Sequence, residues 1–191
     1  MIKPHILLRS SLIALFLLLS ACTSNIKHLV IAPEILTSSN PQISTQAISI
    51  TTSDLRSASH ILQIVKEDKA AELITSQGSL AEIIDSALRS AYQKSGVQVS
   101  PSANNVINVA INKALINVNQ SMLKYTANTA IELSVRTNNG EKTLTKTYRS
   151  SGTSNGPLKA DIAVLERDFN QQLSKLIVNI INDPQLIAFM R

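Results

Sequence analysis

An alternation of apolar and polar positions with period two dominates the middle of the chain. From Leu123 to Arg136 nearly every odd-numbered residue is apolar, whereas the even-numbered positions are mostly polar or charged. This period is typical of a β-strand with one face on a core and the other in water. We therefore predict β-structure over residues 105–150, with Asn139-Gly140 as a hairpin turn that pairs Val135 with Leu144.

The apolar phase changes once within this region. It falls on odd positions up to Ile111 and on even positions from Ala114 to Val118. One extra residue in a strand restores such a phase, so we predict a β-bulge near Asn112-Lys113.

Shorter strands are predicted in the first half of the chain. The segment "KHLVIAPEI" is expected to be a strand that Pro33 ends, and "AISITT" is expected to be an alternating strand that leads into "SDLRS". "HILQIVKE" and "AAELITS" are expected to form a second hairpin around Glu67-Asp68-Lys69.

Two segments have the 3.6-residue period of amphipathic helices. The first begins at Ser79, which forms a capping box with Glu82, and ends at Gly96. The second begins at about Lys159, after a predicted glycine-rich loop "SSGTSNGPL", and Asp183-Pro184 starts a final short helix. Their predicted buried positions are Leu80, Ile83, Ile84, Ala87, Leu88, Ala91 and Tyr92 in the first helix, and Ile162, Leu165, Phe169, Leu173, Leu176, Ile177 and Ile180 in the second.

These elements predict a two-layer α+β fold, in which an antiparallel β-sheet packs on two amphipathic helices. We expect a single domain over residues 29–191, preceded by a signal peptide over residues 1–21 and a tether over residues 22–28.

The N-terminal segment has the pattern of a bacterial lipoprotein signal. Lys3 and Arg9 precede a short apolar run, Leu12–Leu19, which is too short to span a bilayer. "LSAC" then matches a lipobox, in which the cysteine receives the lipid. A plain signal peptide or a buried apolar helix, with Cys22 incidental, is the alternative interpretation.

Lipidation would give Cys22 a defined role, since the chain has no second cysteine for a disulfide. About two acyl chains suffice for stable membrane anchoring. In the bacterial lipoproteins that this segment resembles, an aspartate after the cysteine commonly retains the protein in the inner membrane. Thr23 in that place predicts sorting to the outer membrane, facing the periplasm.

Composition excludes some classes of function. Removal of the first 21 of the 191 residues leaves 170, enough for one domain with a hydrophobic core. Of the 18 basic residues, Lys3 and Arg9 leave with the signal, so the remaining 16 stand beside 13 acidic residues. This small excess, without a Lys/Arg run and with few aromatic residues, argues against a nucleic-acid or sugar-binding surface.

Motifs that resemble catalytic or metal sites are weak in this chain. Ser-x-x-Lys occurs at Ser121–Lys124 and Ser24–Lys27, but the partner motifs of penicillin-binding enzymes are missing from the sequence. His28 and His60 are isolated, so we predict no metal site and no cofactor. Glu67-Asp68 and Glu132 are expected in a turn and on a solvated strand face, where two carboxylates do not converge.

Two local patterns have both a structural and a binding interpretation. Asp54-x-Arg56 could hold a small ligand or pair locally to stabilise a turn, and we favour the turn. The "SSGTSNG" segment could bind an anion through backbone amides, but it lacks the Lys-Ser/Thr of a P-loop and is expected to be a connector. Asn119 begins a formal glycosylation sequon, which a bacterial lipoprotein would not use.

The chain resembles the YajG-type family of small bacterial lipoproteins over about 160 residues. The resemblance rests on the order and spacing of "LSAC", "VIAPEI", "SDLRS", "LAEIIDSALRSAYQKSG", "KTYRSSG" and the final "NDPQLIAFM". It implies a periplasm-facing lipoprotein of Gram-negative bacteria, without an established enzymatic activity.

We therefore predict a non-catalytic accessory or interaction lipoprotein, anchored through Cys22 and serving an unidentified protein partner in an envelope or transport/secretion complex. The exposed polar face of a strand or a sheet edge would be the contact surface. The alternatives are a peptidoglycan-remodelling enzyme and a carrier of an apolar ligand.

Overall fold

The structure is a computed structural model that describes residues 28–36 and 47–191. The strands are Ile48–Asp54 (β1), His60–Lys66 (β2), Glu72–Thr75 (β3), Asn105–Gln120 (β4), Lys124–Asn138 (β5) and Thr143–Pro157 (β6). The helices are Leu80–Lys94 (α1), Ile162–Ile181 (α2) and Pro184–Phe189 (α3).

The strands form a mixed sheet with the order β3-β2-β4-β5-β6, and β1 also pairs with β4. The α+β class is confirmed, but the prediction of an antiparallel sheet is wrong for β1 and β2, which both run parallel to β4. Parallel neighbours need a crossover connection. Helix α1 lies within the connection between these early strands and β4. The prediction failed because the periodicity of a sequence does not show the direction in which neighbouring strands run.

β1 and β2 lie end to end along the same edge of β4. Ile48–Asp54 pairs with residues 105–111 of β4, and residues 62–66 of β2 pair with residues 116–120. The sixteen-residue β4 is thus covered on this edge by two successive shorter strands. The junction between them lies opposite Ala114, which pairs with neither.

The predicted bulge in β4 is present at the same level as this junction. The register between β4 and β5 shifts between Ile111 and Lys113. Before the shift the odd residues are buried, and after it Ala114, Ile116 and Val118 are buried. One extra residue therefore keeps the apolar side chains of both halves on the helix-covered face.

The hairpin at Asn139-Gly140 forms, but its predicted register is wrong by two residues. Val135 pairs with Lys146, not with Leu144, because Asn139 and Lys142 close a longer loop. The side chain of Asn139 accepts hydrogen bonds from the amides of Glu141 and Lys142, which stabilises that loop. A shift of two residues leaves every side chain on its predicted face.

The predicted "SSGTSNGPL" loop is instead the second half of β6. Ser150–Pro157 continues the antiparallel pairing with β5 as far as Lys124. A Cβ on Gly156 would lie 2.6 Å from the ring of Tyr125, so this glycine admits the aromatic side chain of the neighbouring strand. In the sequence these glycines resemble those of a loop. In the fold they lie in a strand, and their role depends on the pairing of β6 with β5.

The predicted N-terminal strand is reduced to a single bridge, which joins Leu29 to Ser76. Side chains of α2 take the place of a second strand. The amide of Val30 donates to Glu166 at 2.7 Å, and Asn170 both accepts from the amide of Ala32 and donates to the carbonyl of Val30. Residues 30–32 are therefore held against α2 in extended form.

Both predicted amphipathic helices are present, and each begins at a side-chain cap. Ser79 accepts from the amide of Glu82, Asp161 from that of Ala163, and Asp183 caps α3. Gly96 has a φ of 91°, the left-handed conformation expected at the end of α1. The apolar stripes of α1 and α2 pack on one face of the sheet; Ile83, Ala87 and Ile162 are partly buried at its margin.

Leu88 lies fully buried at the centre of the stripe of α1. We expect Leu88→Ala to lower the free energy of unfolding by about 2–5 kcal/mol, because the cavity it leaves adds to the lost transfer energy. Leu73→Ala, at a half-exposed position of β3, is the matched control and should change it by less than about 0.5 kcal/mol. Urea denaturation measures both, and equal effects would contradict the packing of α1 on the sheet.

Candidate functional site

The junction between β1 and β2 is closed by the side chain of Arg56. Its Nε and Nη2 atoms donate to both carboxylate oxygens of Asp54, the shortest distance being 2.7 Å. Its Nη1 donates at 3.2 Å to the carbonyl of His60 and, at the same distance, to the carbonyl of Ala114. The guanidinium thus provides donors where the strand edge changes partner.

The arginine of this ion pair is largely removed from water. The Arg56 side chain is 7% exposed, whereas Asp54 remains at the surface. The amide of Arg56 also donates to Asp54, which completes a local turn. The guanidinium, helped by that amide and opposed by partial burial, lowers the pKa of Asp54 below its ordinary value of 3.8.

Next to this junction is a groove of about 220 Å³. Its walls include Ser57, His60, Asn112 and Lys113. Arg56 contributes to the wall as well, but its donors already have acceptors within the protein. The Asp54–Arg56 pair therefore joins backbone groups of the sheet, through the carbonyls of His60 and Ala114.

A second candidate surface is the side of the sheet opposite the helices. On β6 every residue at an odd position from Thr143 to Asn155 is exposed. We call this surface the polar face. Its amide and hydroxyl residues on β4, β5 and β6 are Asn108, Asn112, Asn117, Asn119, Thr126, Asn128, Ser134, Asn138, Thr143, Thr145, Thr147, Ser151, Thr153 and Asn155. The charged residues Lys113, Glu132, Arg136 and Arg149 lie on the same side, as do the apolar residues Val106, Ala110, Leu115 and Ala130. Short amide and hydroxyl side chains thus dominate a regular surface.

Cross-strand hydrogen bonds order part of the polar face. Thr153 donates to Asn128 at 3.0 Å, and Asn112 donates to Ser134 and to Glu132. Arg149 donates to Glu132 at 2.7 Å, which with the Asn112 contact lowers the pKa of that carboxyl. Donors and acceptors fixed in this way on a sheet surface suit hydrogen bonding to another polypeptide.

A third group of polar side chains lies where β6 meets the start of α3. Asp183 accepts from Lys146 at 2.5 Å and from the Tyr148 hydroxyl at 2.7 Å while it caps α3. Burial raises the pKa of Asp183, but these hydrogen bonds outweigh it, so its pKa is lowered. Burial raises the pKa of Tyr148, and the bond to Asp183 adds to that shift.

This group gives a partner to a lysine that the sheet directs toward the helices. Lys146 lies on the helix-facing side of β6, where it pairs with Val135 of β5 and forms an ion pair with Asp183. Sequence spacing does not connect residue 146 with residue 183, so the pair depends on the packing of α3 beside β6.

The predicted Ser-x-x-Lys motif forms a hairpin turn. The hydroxyl of Ser121 donates to the carbonyl of Lys124 and accepts from its amide, and Ser121 and Lys124 are also joined by a backbone hydrogen bond. The other copy, at Ser24–Lys27, lies outside the described residues, as do Cys22 and Thr23.

The remaining candidates are separated from one another. His28 contacts the hydroxyl of Thr75 at 3.1 Å, and His60 begins β2. Glu67 and Asp68 occupy the turn between β2 and β3, while Asn119 is on the polar face. Within residues 28–36 and 47–191, no three His, Cys, Asp or Glu side chains are placed to hold a metal ion. None of the helices in those ranges is long and apolar enough to cross a membrane.

A family model of uncharacterized lipoproteins matches residues 33–191, which confirms the resemblance found in the sequence. A lipoprotein family indicates association with a membrane. No curated protein matches this chain.

A solved structure shares the fold at low sequence identity. Protein XCC0632 of Xanthomonas campestris, of the DUF330 family, has a TM-score of 0.59 at 13% sequence identity. The match covers 84% of this chain and 95% of the XCC0632 chain. A Helicobacter pylori homologue of a neuraminyllactose-binding hemagglutinin has a TM-score of 0.47 at 10% identity, covering 83% of this chain and 92% of its own. The comparison with XCC0632 supports the fold.

The hydrogen bonds of Arg56 lead to a stability prediction. Arg56→Met should lower the free energy of unfolding by about 2–3 kcal/mol, because it removes a charged donor from Asp54 and from two carbonyl groups. Arg136→Met, at an exposed position of the polar face, should have an effect below about 0.5 kcal/mol. Urea denaturation of both variants is the measurement, and a silent Arg56→Met would show that water replaces the side chain at the junction.

Proposed function

We propose a function for this chain from the fact that it belongs to the family of uncharacterized lipoproteins. In this proposal the signal ends before Cys22, which receives the lipid, and Thr23 directs the protein to the outer membrane. The domain faces the periplasm and acts without catalysis, as an accessory or interaction component of an envelope or transport/secretion complex.

The observation that supports an interaction role is the polar face. Within residues 28–36 and 47–191, the helices cover one side of the sheet and leave side chains of the other side exposed for contact. Its hydrogen-bonding side chains are short, and they lose less conformational entropy on binding than long charged ones. A partner with an extended segment or a complementary polar sheet surface would match it.

The two alternatives have less support in the described residues. The predicted enzyme residues Ser121 and Glu132 are engaged in a turn and in a surface ion pair. An apolar-ligand carrier needs space between the sheet and the helices, whereas side chains of the hydrophobic core occupy that layer.

The anchor provides the first test. In a Gram-negative host, Cys22→Ser should abolish labelling with a radioactive fatty acid, because it removes the thiol that forms the thioether. Thr23→Asp should retain the label but move the protein toward inner-membrane fractions. If Cys22→Ser still fractionates with the outer membrane, a protein contact and not the lipid holds the chain there.

The second test concerns the contact surface. A photo-reactive amino acid at Thr147, an exposed position of the polar face on β6, should crosslink to an envelope protein in living cells. The matched control is Gln171, which is exposed on α2 on the opposite side of the sheet. Adducts identified by mass spectrometry from position 171 but not from 147 would assign the contact to the helical side and contradict the proposal.

A further inference from the structure

We propose that one end of the sheet inserts into the surface of the membrane that holds the lipid anchor. This end, which we call the apolar end, consists of Met122, Leu123 and Leu158. The inference rests on the proposed lipidation of Cys22 and adds an orientation: β4 points its C-terminal end toward the bilayer, and the rest of the sheet extends away from it.

The apolar end exposes large side chains in a fixed arrangement. Met122, Leu123 and Leu158 are 93%, 78% and 64% exposed. Ser121 closes the turn that carries the first two, and the amide of Leu158 donates to the carbonyl of Leu123 at 2.8 Å. Isolated exposed apolar residues are common, but adjacent ones on a single projection indicate a contact surface.

The backbone at Leu158 is unfavourable for a leucine. Its φ is 60°, in the left-handed region where a side chain meets the neighbouring carbonyl. Glycine or asparagine would adopt this conformation at lower free energy. Because the side chain is also mostly exposed, burial within the protein does not compensate for this strain. Contact of the Leu158 side chain with an apolar phase outside the protein would compensate for this strain.

Cationic side chains border the apolar end. Lys124 directly follows Leu123, and Lys159 directly follows Leu158; both lysines are exposed. Lysine can keep its aliphatic part against an apolar surface while its ammonium group reaches phosphate groups. Apolar tips with basic neighbours are the combination that interfacial membrane contact requires.

The direction of residues 29–32 supports an anchor at this end of the sheet. Leu29 bridges Ser76 in parallel with β3, and β3 runs away from the end at which Lys66 pairs with Gln120. Residues 30–32 also run in the same direction as α2, which starts close to Gln120. Followed backward from His28, both contacts lead toward the apolar end.

The length of the tether agrees with this placement. Five residues, 23–27, separate Cys22 from His28, so the two Cα atoms can be at most about 20 Å apart. His28 contacts Thr75, which pairs with His60. From His60 to Lys66, at the end of β2, the strand also spans about 20 Å. An extended tether can therefore bring Cys22 to the level of Gln120, where β4 ends. The lipid chains on Cys22 would extend beyond that level, toward the apolar end.

The test uses the full-length protein, expressed in a Gram-negative host and purified in its mature, lipidated form. It is reconstituted into vesicles of phosphatidylethanolamine with a minority of phosphatidylglycerol. Lipid occupies the thiol of Cys22, so Leu123→Cys supplies a single free thiol for an environment-sensitive nitrobenzoxadiazole label. Leu55→Cys is the matched control: it is 66% exposed and lies beside Ile111, about 30 Å along β4 from Gln120.

We expect the label at position 123 to shift to shorter wavelength and to be quenched several-fold more strongly by nitroxide-bearing lipid than the label at position 55. Leu158→Gly, combined with Leu123→Cys, should reduce this quenching while the melting temperature stays the same or rises, because it removes apolar contact and relieves the strained φ. Loss of quenching together with a lower melting temperature would indicate a structural role for Leu158 and overturn its part in the proposal.

The possible failures are distinguishable. If the protein does not float with vesicles and Cys22 reacts with maleimide, the proposed lipidation is wrong. If the protein floats but positions 123 and 55 are quenched equally, the anchor stands and the proposed orientation is overturned. The label at position 123 could also show a spectral shift that nitroxide-bearing lipid does not quench and that disappears when the protein is diluted in the vesicles. That result would assign the apolar end to contact with a second copy of the chain, which also overturns the proposal.

Discussion

The architecture depends on one constraint, which is that β4 is longer than either strand on its first edge. β1 and β2 follow one another along that edge, and every such exchange of partners interrupts a ladder of hydrogen bonds. Arg56 provides the missing donors to Ala114 and His60, and Asp54 balances its charge. The bulge at Ile111/Lys113 lies at the same level. The backbone irregularities of this edge are thus concentrated at one place, and a buried arginine stabilises them.

Because the sheet stays continuous across this junction, it separates two environments. One side buries the stripes of α1 and α2, which supply the hydrophobic stabilisation of the domain. The other side has no covering layer in the described structure and carries amide and hydroxyl groups in regular rows. Edge strand β6 places Lys146 toward the helical side, where Asp183 holds it, and a charged residue so placed discourages pairing with other chains.

The N-terminal segment connects the fold to its proposed anchor. Glu166 and Asn170 bind backbone groups of Val30 and Ala32 as a neighbouring strand would. These contacts fix the direction in which residues 30–32 run along α2. With a short tether and an apolar end on the same side, lipid attachment would define the orientation of the polar face as well as its location.

Local patterns in the sequence determined the elements: the helices with their starts at Ser79 and Asp183, the long strands, and the bulge. These depend on periodicity and on residues a few positions apart, which a single sequence displays; the predicted lipobox at Cys22 is a local pattern of the same kind. Tertiary structure alone decided the parallel placement of β1 and β2, the extension of β6 through Gly152 and Gly156, and the pairs that join Lys146 to Asp183 and Arg56 to Ala114. Each of these depends on backbone groups or side chains far apart in sequence, whose proximity arises only when the sheet has formed.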